Sequence, residues 1–87
     1  MIIIDVRSKE EYDLEHVDKS INIPAEDFMR PHQLPRELKH SPKEEHIILY
    51  CNSGNRAHAV MNALHRFGFT FVENSINKNQ TEQRVRR

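Results

Sequence analysis

The 87-residue sequence suits one small domain, and its 37% apolar and 30% charged residues are typical of a soluble folded protein. Thirteen Lys and Arg residues balance thirteen Asp and Glu residues, so the charge gives no reason to expect nucleic acid or a membrane as partner. The single cysteine excludes an intramolecular disulfide and a zinc site of several cysteines. Neither a bilayer-spanning stretch nor a signal peptide is evident, so we expect a cytoplasmic protein, or a periplasmic one if a signal peptide has been removed.

The N-terminal part of the sequence predicts two strands separated by a short helix. The β-branched run MIIIDV at residues 1–6 is typical of a buried strand in a parallel sheet. Ser8 and Glu11 have the spacing of a capping box, which predicts a helix that ends near residues 15–16. The segment SINIP at residues 20–24 predicts a second strand that its final proline stops.

The middle of the sequence predicts little regular structure before a third strand. Residues 25–29 predict one or two helical turns, and the proline-rich residues 30–45 predict a connection with a short helix near residues 34–38. The most apolar segment after the N-terminus, HIILY at residues 46–50, predicts the third strand.

The C-terminal part predicts a long helix, a last strand and a polar tail. The helix spans residues 56–67, where apolar side chains recur at helical spacing: Ala57, Val60, Met61, Leu64 and Phe67. Gly68 is placed to end this helix, and FTFVE at residues 69–73 predicts the last strand. The polar residues 75–87 carry little apolar material, which predicts a fraying end or a loosely held helix.

Strands that alternate with helical segments indicate an α/β fold with a parallel sheet. Ligand sites of such sheets lie at the carboxyl ends of the strands. Asp5 ends the first predicted strand, and Cys51 directly follows the third. The pattern therefore places the only thiol of the sequence at the edge where ligands bind.

Two interpretations of Cys51 are open: it is either a small buried hydrophobic residue or a reactive thiol. Its position between a strand and a helix N-terminus favours the thiolate, because unpaired amides there attract an anion. Gly54 permits a positive φ, so that successive amides can curl into an anion-binding nest. Arg56 is either a solvated first-turn residue or a planar donor for an oxyanion, and the helix dipole favours the second reading. The other residues of this loop are small or turn-prone: Asn52, Ser53 and Asn55.

Three segments resemble the single-domain rhodaneses, a sulfurtransferase family, and in particular its phage-shock-protein-E-like members. They are IIIDVRSKEEYDLEHVDKSINIP at residues 2–24, YCNSGNRA at 50–57 and HRFGFTFVEN at 65–74. The resemblance implies a rhodanese-like α/β domain over residues 1–74, with a mostly parallel sheet of four to five strands flanked by helices. Residues 75–87 are then a polar C-terminal tail.

The resemblance also implies roles for individual residues. Cys51 is the expected catalytic residue and carries a transferable sulfur as a persulfide. The expected substrate-binding residues follow it in the loop: Asn52, Ser53, Gly54, Asn55 and Arg56. Asp5 and Arg7 are expected to support this loop, and the alternative for them is a surface ion pair. No cofactor and no metal are expected.

The implied function is transfer of a sulfane sulfur from thiosulfate or a similar donor to a thiol or cyanide, by a monomer. One alternative is a persulfide carrier or sulfur-binding module that receives its sulfur from a protein partner. Another is an oxyanion enzyme similar to Cdc25-like phosphatases or arsenate reductases. Those enzymes need the longer spacing C-x5-R, whereas Cys51 and Arg56 are spaced as C-x4-R.

Overall fold

A parallel sheet of four strands forms the centre of the protein in a computed structural model that describes residues 1–31 and 33–86. The strands are β1 (Ile2–Asp5), β2 (Ile21–Asn22), β3 (Ile47–Tyr50) and β4 (Val72–Asn74). Their order across the sheet is β2-β1-β3-β4, and every neighbouring pair is parallel. The predicted α/β class and the count of four to five strands are confirmed.

Helices and turns connect the strands largely where the sequence predicts them. The helices are α1 (Lys9–Leu14), α2 (Asn55–Arg66) and α3 (Lys78–Val85), and the short 3₁₀ turns are Ala25–Phe28 and Arg36–Leu38. Ser8 and Glu11 form the predicted capping box of α1. Gly68, at φ +95°, follows the end of α2 as predicted. Two residues of the predicted connection and tail, His32 and Arg87, lie outside the described residues.

The last strand begins later than predicted, at Val72 instead of residue 69. Phe69 is buried in the core, and the Thr70 amide donates a 2.9 Å hydrogen bond to the Lys43 carbonyl outside the sheet. The chain therefore crosses toward the preceding connection before it joins β3. A hydrophobic pattern cannot show this, because Phe69 is buried there as it would be in a strand.

The hydrophobic core lies mainly between the sheet and α2. Its larger cluster contains Cys51 and side chains from β1, β3 and α2, among them Ile4, Leu49, Val60 and Leu64. A smaller cluster on the opposite face consists of Ile3, Val17 and Tyr50, with Val85 of α3 packed against it. The buried stripe of α2 that the sequence predicts thus fixes the helix whose N-terminus adjoins Cys51.

Helix α3 is held by polar contacts more than by an apolar face. Asn77 caps it by accepting a 2.8 Å hydrogen bond from the Gln80 amide. Thr81 is fully buried, and its hydroxyl contacts that of Ser75. Arg84 forms an ion pair with Glu73 of β4. These contacts explain why a tail predicted to be loosely held forms a helix against the sheet, while the boundary at residue 74 stays a prediction.

Asp5 and Arg7 form a buried ion pair at the carboxyl end of β1. The Asp5 side chain is fully buried and Arg7 is 7% exposed, which excludes the alternative of a surface pair. Arg7 Nη2 donates to Asp5 Oδ2 at 2.7 Å and to the Glu15 carbonyl at 2.7 Å. The guanidinium also lies 5.5 Å from the ring centroid of Tyr50, the residue before Cys51. The pair therefore ties β1, the end of α1 and β3 together.

Replacing Asp5 should strongly destabilise the fold. Asp5→Asn removes the charge that compensates buried Arg7, which typically costs about 3–5 kcal/mol in the free energy of unfolding. Urea denaturation followed by circular dichroism measures this loss. Asp13→Asn is the matched control, because it removes the carboxylate of the exposed Lys9–Asp13 pair and should leave the midpoint nearly unchanged. Equal midpoints for the two variants would contradict a structural role for the buried pair.

Candidate active site

Cys51 lies at the carboxyl end of β3, in the first position after the strand and four residues before α2 begins. Its side chain is fully buried, and its amide donates a 3.0 Å hydrogen bond to the Ile76 carbonyl. The sheet edge is the one that the sequence predicts for a ligand site. Residues 51–56 are called the Cys51 loop below.

Backbone amides of the Cys51 loop point at the sulfur. Gly54 adopts φ +90° and its amide donates to Cys51 Sγ at 3.1 Å. Burial opposes ionisation of the thiol. Hydrogen bonding outweighs burial and lowers the pKa of Cys51 below its ordinary value. The donors are the backbone amide of Ala57, in the first turn of α2, and the loop amides of Gly54, Ser53 and Arg56. The loop thus forms the predicted nest and stabilises a sulfur anion.

Arg56 is bound by Glu11 of α1. Arg56 Nη1 donates to Glu11 Oε1 at 2.8 Å, and Nη2 donates to Oε2 at 3.2 Å. Asn52 Nδ2 donates to the same carboxylate at 2.7 Å. The Arg56 guanidinium and the capping contacts of Ser8 hold the pKa of Glu11 far below its usual range. Two side chains predicted to bind substrate, Asn52 and Arg56, therefore contact a carboxylate of the protein itself.

The structure brings the loop residues together but keeps the supporting pair one strand away. Ser53 and Asn55 are exposed at the rim, where the Asn55 amide lies 3.4 Å from Ser53 Oγ. Within residues 1–31 and 33–86, Asp5 and Arg7 make no hydrogen bond to the Cys51 loop, and Arg7 reaches it only through Tyr50. Their predicted support of the loop stays a prediction, and the contact with Tyr50 makes β3 the route by which it would act.

Sequence reasoning missed three residues that hold the Cys51 loop. Glu11 was identified as a helix cap, without its contact to Arg56. Asn74 Nδ2 donates to the Gly54 carbonyl at 3.0 Å, and its position at the end of β4, on the same sheet edge, was a usable signal. Ile76 adopts φ +78° and supplies the carbonyl for Cys51, and no sequence signal indicates this because a β-branched residue rarely has a positive φ.

Neither a metal cluster nor a membrane helix is evident in the described part of the chain. No group of three or more His, Cys, Asp or Glu side chains could hold a metal ion there. None of its helices has the length and apolar character to cross a bilayer.

Comparison with protein families matches residues 1–80 to the rhodanese-like domain. The chain belongs to the rhodanese-like family. The thiosulfate sulfurtransferase PspE of Escherichia coli K12 is 36% identical over 73 residues, which cover 83% of this chain and 65% of PspE. A tRNA uridine(34) hydroxylase of Enterobacter strain 638 is 33% identical over 73 residues, 82% of this chain but only 20% of that protein. The chain thus spans from a fifth to about two thirds of these relatives.

Solved structures of rhodaneses share the fold. An Escherichia coli rhodanese with anions superposes with a TM-score of 0.76 at 31% identity, over 91% of this chain and 88% of that one. The human single-domain sulfurtransferase TSTD1 superposes with a TM-score of 0.71 over 99% and 82% of the two chains, and at 21% identity it shows the fold alone. The resemblance read from the sequence and the rhodanese-like fold are confirmed.

The thiol of Cys51 should titrate below the ordinary cysteine value of about 8.5, because loop amides stabilise the thiolate. Since the sequence has one cysteine, the ultraviolet absorbance of the thiolate reports this residue alone. We expect the absorbance to rise with pH at a midpoint under that value, and Cys51→Ser provides the baseline. A midpoint at or above the ordinary value would show that burial outweighs the amides.

Gly54→Ala should raise the pKa of Cys51, whereas Gly68→Ala should not. Both glycines have φ near +90°, so alanine at either position should cost about 1–2 kcal/mol of stability. A Cβ would have room at both positions, 3.4 Å from Ile76 Cγ2 at Gly54 and 3.8 Å from the Lys43 side chain at Gly68, so the cost comes from the backbone conformation. Only at Gly54 does relaxation of that strain move an amide that donates to Cys51 Sγ. Urea denaturation and thiolate titration of both variants measure the two effects, and an equal pKa in both would contradict a special role for Gly54.

Proposed function

We propose that this rhodanese-like domain transfers a sulfane sulfur from thiosulfate or a similar donor to a thiol or cyanide through a persulfide on Cys51. The observation that carries the proposal is the convergence of loop amides on the Cys51 sulfur, with the Gly54 amide 3.1 Å from Sγ. Such a ring suits an anion formed by one added sulfur. The printed activity of the relative PspE, thiosulfate sulfurtransferase, agrees with this function.

In the first half-reaction, the Cys51 thiolate attacks the outer sulfur of thiosulfate. The bond between Cys51 Sγ and that sulfur forms while the sulfur–sulfur bond of thiosulfate breaks, and sulfite leaves with the electron pair. In the second, cyanide or a thiolate attacks the outer sulfur of the persulfide, and Cys51 leaves as thiolate. No external oxidant is needed, because sulfur is passed between nucleophiles.

The proposed roles follow the positions of the side chains. Asn52, Ser53 and Asn55 line the rim, Gly54 supplies an amide to the sulfur, and Arg56 supplies the charge at the mouth. Asp5 and Arg7 fix the strand next to β3. A carrier that receives sulfur from a protein partner would use the same persulfide and differ only in its donor. The compartment and the monomeric state stay predictions.

A phosphatase or arsenate reductase is less well supported. The Cys51 loop encloses the sulfur with four intervening residues between Cys51 and Arg56, one fewer than those enzymes use around a tetrahedral anion. The Arg56 guanidinium, which would bind such an anion, is already bound to Glu11. The shorter spacing is the feature that favours a loop around one added sulfur over a loop around a tetrahedral oxyanion.

Incubation with a sulfane donor should add one sulfur to the protein. Intact-mass spectrometry should show a gain of about 32 Da that disappears on addition of cyanide or a reductant, as expected for a persulfide. Cys51→Ser should show no gain, since a serine hydroxyl cannot form a persulfide. Thiocyanate production should be lost in the same variant.

Circular dichroism of Cys51→Ser provides the control for folding. A folded parent protein that gains no sulfur from thiosulfate, a thiosulfonate or an alkyl persulfide would overturn the proposed function. A gain that survives in Cys51→Ser would move the chemistry away from this residue.

A further inference from the structure

The positive charge of the Cys51 loop is already paired with a carboxylate of the protein. Arg56 is the only Lys or Arg among residues 51–56. Both of its terminal nitrogens donate to Glu11, at 2.8 and 3.2 Å, so the guanidinium presents a paired charge to an incoming donor. This partly exposed pair, together with the exposed side chain of Asn52 in the same loop, is called the entrance below.

The Glu11 carboxylate is held by more than Arg56. Its Oε1 accepts from the Ser8 amide at 3.0 Å and from the Ser8 hydroxyl at 3.1 Å, as the capping box of α1 requires. Its Oε2 accepts from Asn52 Nδ2 at 2.7 Å. Because these hydrogen bonds do not depend on Arg56, we expect Glu11 to stay beside the loop when a sulfur donor binds.

Three charged groups of this site, the Cys51 thiolate, Arg56 and Glu11, together leave the entrance negative. The reactive form of Cys51 contributes one negative charge, Arg56 one positive charge and Glu11 one negative charge, which leaves a net charge of about −1. Thiosulfate is a dianion, whereas alkyl persulfides and thiosulfonates carry one charge at most. Coulomb repulsion grows with the charge of the donor, so the entrance disfavours thiosulfate most.

We propose that Glu11 is a specificity-determining residue that directs the Cys51 loop toward sulfane donors with one negative charge or none, such as alkyl persulfides and thiosulfonates, and against the thiosulfate dianion. The inference rests on the proposed persulfide at Cys51. With methanethiosulfonate, the Cys51 thiolate bonds to the outer sulfur, the sulfur–sulfur bond breaks, and methanesulfinate leaves with the electron pair. The total charge is conserved, with a thiolate replaced by a persulfide anion.

The test compares two donors that differ by one charge. Values of kcat/KM with cyanide as acceptor are measured for thiosulfate and for methanethiosulfonate, in the parent protein and in Glu11→Gln. Glutamine keeps the capping interaction of α1, since Gln also serves at this capping-box position. We expect the ratio of kcat/KM for thiosulfate to that for methanethiosulfonate to rise about ten-fold, from removal of one charge at close range. Glu10→Gln, which removes an exposed charge from the same helix, should leave the ratio unchanged.

Ionic strength provides a readout that a purely structural role would not change. Salt screens repulsion, so kcat/KM of the parent for thiosulfate should rise as salt is added at modest concentration. In Glu11→Gln the entrance is close to neutral, and this dependence should flatten. Methanethiosulfonate should show a smaller salt effect in both proteins.

A second variant leaves α1 unchanged and so separates an effect of charge from an effect of a change in the fold of α1. Asn55→Arg adds a cation to the exposed rim without touching that helix, and it should raise the same donor ratio. If Glu11→Gln does not fold, this variant decides the outcome. An unchanged ratio, or equal changes for both donors, would overturn the inference while leaving persulfide formation intact. Failure of both donors to load the parent, seen by intact mass, would overturn the proposed function itself.

Discussion

The left-handed turn at Gly54 is the constraint on which the site depends. With φ at +90°, this residue reverses the chain between β3 and α2 so that successive amides face the Cys51 sulfur. The same turn starts α2, whose buried stripe packs on the sheet and keeps the loop from relaxing. Asn74 and Ile76 close the arrangement from the neighbouring strand through the Gly54 carbonyl and the Cys51 amide. A side chain at position 54 would strain this turn. Relief of the strain would move either the start of α2 or the amide that donates to Cys51 Sγ.

Glu11 connects α1 to α2 at the edge of the sheet where Cys51 lies. As the third residue of α1 it completes the capping box with Ser8 through Oε1, and with both carboxylate oxygens it binds Arg56 of α2. A carboxylate that accepts this many hydrogen bonds stays ionised at any physiological pH, so its charge is a fixed feature of the entrance. The buried Asp5–Arg7 pair ties the end of α1 to β1 and β3, and thereby helps to fix the helix that carries Glu11.

The sequence predicts local structure better than contacts between distant segments. The capping box, the stripe of α2, the glycine at Gly68 and the thiol at a strand end follow from short-range patterns, and each is present in the structure. The Glu11–Arg56 pair joins residues 45 positions apart, and no periodicity encodes such a contact. The start of β4 was misplaced because Phe69 is buried outside the sheet. The sequence predicts at most a loosely held helix in the place of α3, because the residues that provide its buried contacts, Thr81 and Ser75, are polar.

Reactivity and selectivity are separated in this site. The amides that stabilise a sulfur anion belong to the backbone, so substitution of the rim side chains leaves them in place as long as Gly54 is kept. The side-chain charge at the entrance, by contrast, comes from Arg56 and Glu11, and the neutral Asn52 and Asn55 add none. Under the proposed function, exchange of one rim residue changes the charge that a donor meets and leaves the amides around Cys51 in place. In this chain that charge is a cation already paired with Glu11, so the charge of the donor is the property on which we expect selection to act.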